Sequence, residues 1–425
     1  MKHNRLTRAW NVSAHTGKRY SVAMMIAAIG GIAGTAFAQD RPVVPRGGPE
    51  QHRPHSWIRN PTPDATAPKP VVQRTPAGFW PVDMLTAYGI SANGGQGATV
   101  AIVDAYDSPN ALVDLNTFST QFALPAFPAA KGSSCSPTFT KVNQNGGSTL
   151  PVRNSGWEIE INLDTQWVHA IAPCANIVLV EANSANTNDL LAGVTYAKTV
   201  ASVVSMSWGG SESRTQTISD PTFVKTGVTF LASSGDSGGA VEWPSSSTNV
   251  IAVGATQLTA AAGGGLAPGF TETAWNGSGG GCSTVETALA FQKSFLPATP
   301  VCKDRAVPDV AMSGGDVSAV AVMVSKQGGW YEAYGTSLAV QLFAGVVAIA
   351  NGLRSTPLSI ALSDLYTDAA GSPTSVLYFD NYRDITAYLS SESPGPFAVG
   401  KSWDFVTGLG APLANSLLYG YLAKQ

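Results

Sequence analysis

The chain contains few charged residues. Only 12% of its 425 residues are Asp, Glu, Lys or Arg, and the formal net charge is -3. Because nucleic-acid-binding proteins usually carry a concentrated basic surface, this composition argues against a nucleic-acid partner. No internal repeat is apparent. Apolar residues make up 44% of the chain and glycine occurs 44 times, so the chain can bury a large core connected by tight turns.

Cysteine is also scarce. The four cysteines stand at positions 135, 174, 282 and 302 and include no C-x-x-C pair, which argues against a zinc site. Four cysteines are typical of an oxidising compartment, where three pairings are possible. We favour Cys282 with Cys302, which closes a short loop, and Cys135 with Cys174.

The N-terminal region contains a long apolar run. Basic residues up to position 19 precede the apolar residues 22–38, which end in Ala-Phe-Ala. This pattern predicts a signal peptide over residues 1–38 and hence a secreted or periplasmic protein, with a retained membrane anchor as the alternative. Residues 39–76 are rich in proline and arginine, which predicts a disordered linker or a short pro-segment before a folded domain at 77–425.

Apolar strand patterns alternate with helical patterns along this domain. The strand patterns cover residues 99–104, 177–181, 203–207, 228–233 and 250–254, and the helical patterns cover 158–169, 190–199 and 337–351. Alternating strands and helices with apolar strands predict an α/β fold, with a doubly wound, mostly parallel sheet covered by helices on both faces.

Residues 334–337, with the sequence YGTS, precede an apolar run that extends to Ala350. The small residues allow a sharp turn into a buried helix. The start of such a helix places free N–H groups and the positive end of the helix dipole beside Ser337. Ser337 is therefore a candidate nucleophile.

A histidine suited to activate this serine is missing. The five histidines stand at positions 3, 15, 52, 55 and 169, and none occurs in a His-Gly-Thr context. The sequence offers a carboxyl pair instead, because Glu160 and Asp164 are four residues apart in a helical pattern and share one helix face. Two neighbouring carboxyl groups cannot both ionise easily, so the pKa of one rises and it can act as a general base in acid. Taken alone, the same spacing more often marks a solvated helix face.

Asp236 follows another apolar strand pattern and lies in a glycine-rich loop. Ligands bind beyond the carboxyl ends of strands in doubly wound sheets, which is where this loop is expected. A protonated Asp236 can donate a hydrogen bond to a developing oxyanion. The alternative is a turn residue, since Asp-Ser-Gly is common turn chemistry.

Together these three segments resemble the sedolisins, the serine-carboxyl peptidases, and they occur in that family's order. The likeness extends from about Phe79 to the C-terminus and includes further motifs at 98–106, 169–173, 204–209 and 308–310. The resemblance implies a subtilisin-like fold and an acid-active endopeptidase, with a triad of Ser337, Glu160 and Asp164 and with Asp236 in the oxyanion hole. It is similar to a bacterial member without a large pro-domain, since the segment at 39–76 is much shorter than the folded pro-domain that sedolisins usually carry.

Two positions near the serine differ from the sedolisin pattern. Tyr334 stands where the family commonly has glycine, and Gln341 stands where it usually has proline. Proline fits the first turn of a helix because no hydrogen bond is lost there. We therefore expect Gln341 to alter the start of the helix more than the chemistry.

The resemblance also implies one Ca²⁺ site near the C-terminus. Its ligands would be carboxylate oxygens of Asp384 and Asp404 and backbone carbonyl oxygens of Ile385, Gly400 and Ser402, the hard donors that calcium prefers. Two features differ from the family: Ser402 replaces a usual glycine, and the Asn-Gly loop expected soon after Thr386 is absent.

Three functional hypotheses follow from the sequence. The first is an acid endopeptidase that acts on protein or peptide substrates as a monomer, without membrane attachment once the signal is removed. The second is a non-catalytic or impaired secreted peptide-binding protein on the same fold. The third is a subtilisin-type peptidase that uses Asp104, but it lacks a histidine. His169 lies in the helix of Glu160 without a His-Gly-Thr context, and we expect it to pack or hydrogen-bond near the cleft.

Overall fold

The structure is a computed structural model of the chain, and it describes residues 40–43, 51–59, 75–133, 135–259, 270–298, 300–356, 362–369, 372, 374–414 and 417. The predicted signal peptide and its alternative, the membrane anchor, lie outside the described residues. Within these ranges, no helix combines the length and the apolar character needed to cross a bilayer.

The elements of the described residues are numbered in chain order. The strands are β1 (Arg41–Pro42), β2 (Arg53–Pro54), β3 (Trp57–Arg59), β4 (Thr99–Ala105), β5 (Phe139–Asn143), β6 (Asn176–Ala182), β7 (Val203–Met206), β8 (Trp208–Ser211), β9 (Thr229–Ser233), β10 (Glu242–Trp243), β11 (Ile251–Thr259), β12 (Thr271–Ala274), β13 (Gly281–Thr287), β14 (Asp304–Val307), β15 (Val310–Ser313), β16 (Val320–Val324), β17 (Gly329–Tyr334), β18 (Tyr382–Arg383) and β19 (Ala411–Pro412). The helices are α1 (Pro81–Tyr88), α2 (Ala111–Gln121), α3 (Ser155–Ile171), α4 (Thr187–Val200), α5 (Thr336–Gly352), α6 (Leu362–Asp368) and α7 (Val376–Asn381).

A central sheet organises the fold. Its strand order is β12-β11-β9-β7-β4-β6-β5, and β15 also pairs with β11. Every neighbouring pair is parallel except β11 with β12. The doubly wound, mostly parallel sheet predicted from the sequence is confirmed. Each predicted core strand and helix is present, with shifts only at its ends.

Side chains alternate between two buried layers along the strands. In β4, Val100 and Ile102 belong to one apolar cluster with α3 and α5, whereas Ala101 and Val103 belong to a second cluster with α4. Because helices cover both faces, the strands are apolar on both sides. Helix α5 is buried along almost its whole length and packs against α3. This packing brings the two helices that carry the predicted site residues together.

Two parts of the Pro/Arg-rich segment are ordered, contrary to the predicted disorder. Strand β1 pairs with β3, β3 pairs with β17, and β2 pairs with β8, all antiparallel. Arg59 also binds both carboxyl oxygens of Asp40, at 3.0 and 2.9 Å. Composition indicated disorder because this segment has little apolar surface of its own. Its hydrogen bonds instead come from strand edges far away in sequence, which local composition does not encode.

Both favoured disulfides are present. The Cα atoms are 5.6 Å apart in Cys135–Cys174 and 5.5 Å apart in Cys282–Cys302, within the usual range for a disulfide. Each bridge restricts the unfolded chain, which stabilises the fold by about 3 kcal/mol. Two disulfides fit an extracellular protein.

Candidate active site

All four predicted catalytic residues converge at the start of α5. Ser337 is the second residue of that helix, α3 presents Glu160 and Asp164, and the loop after β9 presents Asp236. Glu160, Asp164 and Ser337 are fully buried and Asp236 is 7% exposed. The loop after β9 is joined to the start of α5 by hydrogen bonds from the Thr336 N–H and hydroxyl to Asp236 Oδ1, at 2.8 and 2.7 Å.

Gly335 makes the sharp turn into the buried start of α5. Its φ of +136° is a conformation that side chains rarely adopt. A Cβ atom on Gly335 would lie 2.2 Å from the His55 carbonyl oxygen and 2.6 Å from Asp236 Oδ2. Only glycine therefore lets these two oxygens approach the helix start. The N–H of Ser337 donates to the same His55 carbonyl at 3.0 Å.

Three carboxyl groups form a buried cluster beside Ser337. Burial raises the pKa of Glu160 and of Asp164 well above their usual values, and the neighbouring charge of Asp104 raises both further. Burial also raises the pKa of Asp104, to about 8. Among the described residues, neither carboxyl oxygen of Asp104 has a hydrogen-bond partner. The cluster can therefore retain protons at pH values where isolated carboxyl groups would be ionised.

Neighbouring hydroxyl groups lower the pKa of Glu160, against the effect of burial. Hydrogen bonding from the side chains of Ser337 and Ser56 lowers the pKa of Glu160, although less than burial raises it. The Ser56 hydroxyl donates to Glu160 Oε2, and the Ser337 hydroxyl also lies 3.3 Å from the Ser207 carbonyl, to which it donates. A carboxylate that accepts hydroxyl donors is the arrangement that a general base for a serine requires.

Gln341 contacts the carboxyl cluster directly. Its Nε2 donates to Asp164 Oδ2 at 2.7 Å and to Ser207 Oγ at 2.8 Å. The sequence predicted an effect on the helix start, yet α5 runs without interruption from Thr336. Replacement of the family's proline thus adds a hydrogen-bond donor to Asp164, which the sequence pattern did not reveal.

Asp236 is arranged as a hydrogen-bond donor once it is protonated. Burial raises its pKa to about 6, opposed by the charge of His55 and by hydrogen bonds from Thr336. Among the described residues, its Oδ2 has no hydrogen-bond partner, and this is the oxygen that flanks Gly335 beside the His55 carbonyl. A proton on Oδ2 would therefore lie beside the His55 carbonyl oxygen, to which the Ser337 N–H donates.

Neither described histidine near these elements is arranged as a base for Ser337. The Nε2 of His169 donates to the Pro125 carbonyl at 2.8 Å, and its ring packs against Phe127, so this histidine packs and hydrogen-bonds instead of activating Ser337. Burial lowers the pKa of His169 to about 4. His55 lies closer, but its ring nitrogens contact Glu242 and Ser233.

Sequence reasoning missed three contributors to the site. Asp104 was considered only for a histidine-dependent mechanism, although its place at the end of β4 was a usable signal. Gln341 was treated as a backbone effect. Glu242, on β10, had no recognisable motif, because its contacts are with Arg53 and His55 in the N-terminal segment.

The predicted calcium ligands lie in neighbouring loops. Asp384 accepts from the Ser402 N–H at 2.9 and 3.0 Å, and Asp404 accepts from the Gly400 N–H at 3.4 Å. Ser402 has a φ of +72°, which explains why glycine is usual at this position. Both carboxyl groups thus face the 400–404 loop, and this donor set fits a cation bound by two carboxylates and backbone carbonyls. In the part of the chain that the structure describes, no three His, Cys, Asp or Glu side chains form a metal-binding group.

A doubly wound parallel sheet, with a serine at the start of a buried helix and acidic groups at the strand ends, defines a subtilisin-like protein. A family model described as Subtilase family matches residues 153–370. The chain therefore belongs to the subtilase family, and its relatives identify the sedolisin type within it, as the sequence motifs predicted.

The curated relatives are longer than this chain. The chain is 29% identical over 383 residues to Kumamolisin from Bacillus sp. (strain MN-32), an alignment that covers 82% of this chain and 64% of the relative. It is 27% identical over 369 residues to Sedolisin from Pseudomonas sp. (strain 101), which covers 77% of this chain and 56% of the relative. The chain thus spans less than two thirds of each relative.

A solved structure supports the fold. Pseudomonas sedolisin, a serine-carboxyl proteinase complexed with two molecules of pseudo-iodotyrostatin, matches with a TM-score of 0.66 and 23% sequence identity. The match covers 81% of this chain and 97% of that chain.

Proposed function

We propose that the chain is a secreted or periplasmic serine-carboxyl endopeptidase that hydrolyses peptide bonds of proteins or peptides at acidic pH. The observation that carries this proposal is the convergence of Ser337 with the buried carboxyl groups of Glu160, Asp164 and Asp236. The similarity to two sedolisin-type relatives supports the same reaction class.

In the proposed mechanism, Ser337 Oγ attacks the carbonyl carbon of the scissile bond. Glu160 accepts the serine proton. Asp164 orients Glu160 and can itself hold a proton of the carboxyl cluster. The negative charge that develops on the carbonyl oxygen is stabilised by the Ser337 N–H and by protonated Asp236. Glu160 then gives its proton to the leaving amine, and water hydrolyses the acyl-enzyme by the reverse sequence.

The pKa pattern of the site supports an acid optimum. Asp236 donates a hydrogen bond only while it is protonated, and its pKa is about 6 because of burial. Above that pH its negative charge would repel the oxyanion instead of stabilising it. A histidine-based site has the opposite dependence, since protonation of histidine removes the base.

The direct test is casein hydrolysis at acidic pH by the full chain and by its Ser337→Ala variant. We expect the wild type to cleave casein and the variant to lose nearly all turnover, with unchanged circular dichroism. A wild-type chain that binds peptides without cleaving them would support the second hypothesis, a peptide-binding protein on the same fold.

We also propose that the C-terminal loops bind one Ca²⁺. Asp384 and Asp404 would provide carboxylate oxygens, and Ile385, Gly400 and Ser402 would provide carbonyl oxygens. When bound, the ion would supply positive charge that offsets the repulsion and burial of the two carboxylates. Both carboxyl groups accept hydrogen bonds from backbone N–H groups of the 400–404 loop, which supports this proposal.

A further inference from the structure

Strand β17 presents a peptide-binding edge close to the candidate nucleophile. It ends at Tyr334, three residues before Ser337. One edge of β17 pairs antiparallel with β16, and the other edge pairs antiparallel with β3. Addition of a strand to a sheet edge is a general way to bind an extended peptide. The edge that β3 covers can therefore bind a substrate strand by the same backbone pairing.

The segment that carries β3 shows how such a strand lies relative to Ser337. The His55 carbonyl accepts a hydrogen bond from the Ser337 N–H at 3.0 Å. A carbonyl at this place receives the donors that stabilise an oxyanion. The residue two positions further along the chain is Trp57, and it pairs directly with Tyr334. A substrate that follows this path therefore places the second residue after its scissile bond opposite Tyr334.

Tyr334 offers a flat aromatic face to that residue. Trp57 stacks on the Tyr334 ring, with centroids 6.3 Å apart and an interplanar angle of 10°. Side chains directly opposite each other in antiparallel strands are neighbours, so the backbone register brings these two rings together. On the diagonal, the Arg59 guanidinium lies 5.9 Å from the centre of the Tyr334 ring. The ring thus faces the path of the residues that follow the scissile bond.

Trp275 supports the Tyr334 ring from another side. The two rings are perpendicular, with an interplanar angle of 90° and centroids 6.0 Å apart. Both residues are almost fully buried. An edge-to-face pair is a favourable arrangement of aromatic rings, and a ring that is already oriented loses little conformational freedom when it binds a partner. Trp275 therefore holds Tyr334 ready for stacking.

The aromatic face is a particular feature of this chain. Tyr334 stands where the sedolisin pattern commonly has glycine. Glycine has no side chain, so it would offer only backbone contact to the second residue after the scissile bond. The next residue, Gly335, is constrained to be glycine, because a Cβ atom there would lie 2.2 Å from the His55 carbonyl oxygen. The change at position 334 thus adds a ring while the turn into α5 keeps its glycine.

We propose that Tyr334, supported by Trp275, is a specificity-determining residue that favours substrates with an aromatic side chain at the second position after the scissile bond. The inference rests on the proposed peptidase function and names a substrate preference of the same site. Its physical basis is ring stacking, which needs a planar apolar side chain. The preference therefore applies to Trp, Tyr and Phe over aliphatic residues.

The first test maps the bonds that the wild-type chain cuts in casein at acidic pH. The products are identified by mass spectrometry, and all cuts are aligned on the scissile bond. We expect aromatic residues to be enriched at the second position after that bond, relative to their frequency in casein. Cleavage without enrichment at this position would overturn the inference and leave the proposed function intact.

The second test uses two synthetic peptides that contain the fastest casein site and differ only at that second position, with Trp in one and Ala in the other. Wild-type kcat/KM should be at least about fivefold higher for the Trp peptide. Tyr334→Gly should lower this ratio to below about twofold, whereas Tyr334→Phe, which keeps the ring, should retain it. Because both rates scale with the amount of folded enzyme, the ratio does not depend on the stability of a variant.

Phe379→Ala is the matched control, because it removes an exposed aromatic ring on α7. Its ratio should equal that of the wild type, and Ser337→Ala should cleave neither peptide. An unchanged ratio in Tyr334→Gly would refute the subsite and reduce Tyr334 to a contact of the N-terminal segment, where its hydroxyl donates to Asp40 at 3.1 Å. Cleavage of neither peptide by the wild type would contradict the proposed function, on which the inference depends.

Discussion

At the scale of single residues, the reactivity of Ser337 depends on buried carboxyl groups. Glu160 is fully buried, and its pKa is raised by burial and by the charge of Asp104. Residues that act as one catalytic unit show non-additive effects. Glu160→Gln and Ser337→Ala should each lower kcat at least about 10³-fold, and the double variant should be little worse. Initial rates on a peptide substrate measure this, and full activity in Glu160→Gln would exclude Glu160 as the base.

Gln341 belongs to the same scale, as a positioning residue. Its amide donates to Asp164 and Ser207, both buried. Gln341→Ala leaves a buried carboxyl oxygen without this donor, which should lower the free energy of unfolding by about 1–3 kcal/mol. Because an unpaired Asp164 holds its proton more tightly, the pH dependence of kcat should shift upward as well. A stability loss with an unmoved pH profile would reduce Gln341 to a structural role.

At the scale of elements, the spacing of apolar residues was sufficient to predict the helices and strands of the core. The sequence predicted α3, α4, α5 and the five central strands because their apolar residues recur at helix or strand spacing. It also predicted the four catalytic candidates, from the helix start at Ser337, the shared helix face of Glu160 and Asp164 and the strand end before Asp236, which the resemblance to the sedolisins joins into one site. The cluster partner Asp104 could be anticipated only in part, because pairing register decides which strand ends are neighbours.

The N-terminal strands could not be predicted in this way. Strands β2 and β3 contain two and three residues, too few to show a period. Their positions depend on the edges of β8 and β17, which are more than a hundred residues away. The contacts of His55 with Glu242 and of Trp57 with Tyr334 are equally long-range, so composition alone indicated disorder.

The C-terminal loops also act as an element, and calcium should stabilise them. Chelation near neutral pH should lower the melting temperature, because an ion that binds only the folded chain stabilises it by mass action. Burial raises the pKa of Asp404 to about 6, so the effect should fade as the pH falls below that value and the ligand protonates. Differential scanning calorimetry with and without chelator measures the shift.

The control for the calcium prediction is a ligand variant. Asp384→Ala should remove the sensitivity to chelator, whereas Asp380→Asn, an exposed change on α7, should keep it. A wild-type melting curve that chelator does not move would show that these loops bind no stabilising ion.

At the scale of the whole molecule, buried acids should make the fold more stable in mild acid than above neutrality. Burial raises the pKa of Asp104 from 3.8 to about 8 and that of Asp236 from 3.8 to about 6. Between pH 3.8 and the raised pKa of each group, the folded chain binds more protons than the unfolded chain. The stability that these groups contribute is therefore fully present below about pH 4 and falls as pH rises through the folded pKa values. For each group, the free energy of unfolding falls by about 1.4 kcal/mol per pH unit between its unfolded and its folded pKa.

Glu242 sets the opposite limit. The pKa of Glu242 is lowered from 4.5 to about 2 in the folded chain. Its contribution to stability is therefore present above pH 4.5 and is lost as pH falls toward 2. Urea unfolding of the Ser337→Ala chain across this pH range measures both effects. A free energy of unfolding that increases steadily from pH 5 to 8 would contradict the assignment of raised pKa values to the buried acids.

The decisive measurement for a carboxyl-based site is the pH dependence of peptide hydrolysis. Rates should be measured from about pH 2 to 8 for the wild type and for Asp236→Asn, whose amide donates at every pH. Wild-type activity should be highest in acid and should decline as pH rises through about 6, where Asp236 ionises. This decline should be weaker in Asp236→Asn. Wild-type activity that rises through pH 6 to a maximum near neutrality would contradict a carboxyl-based site.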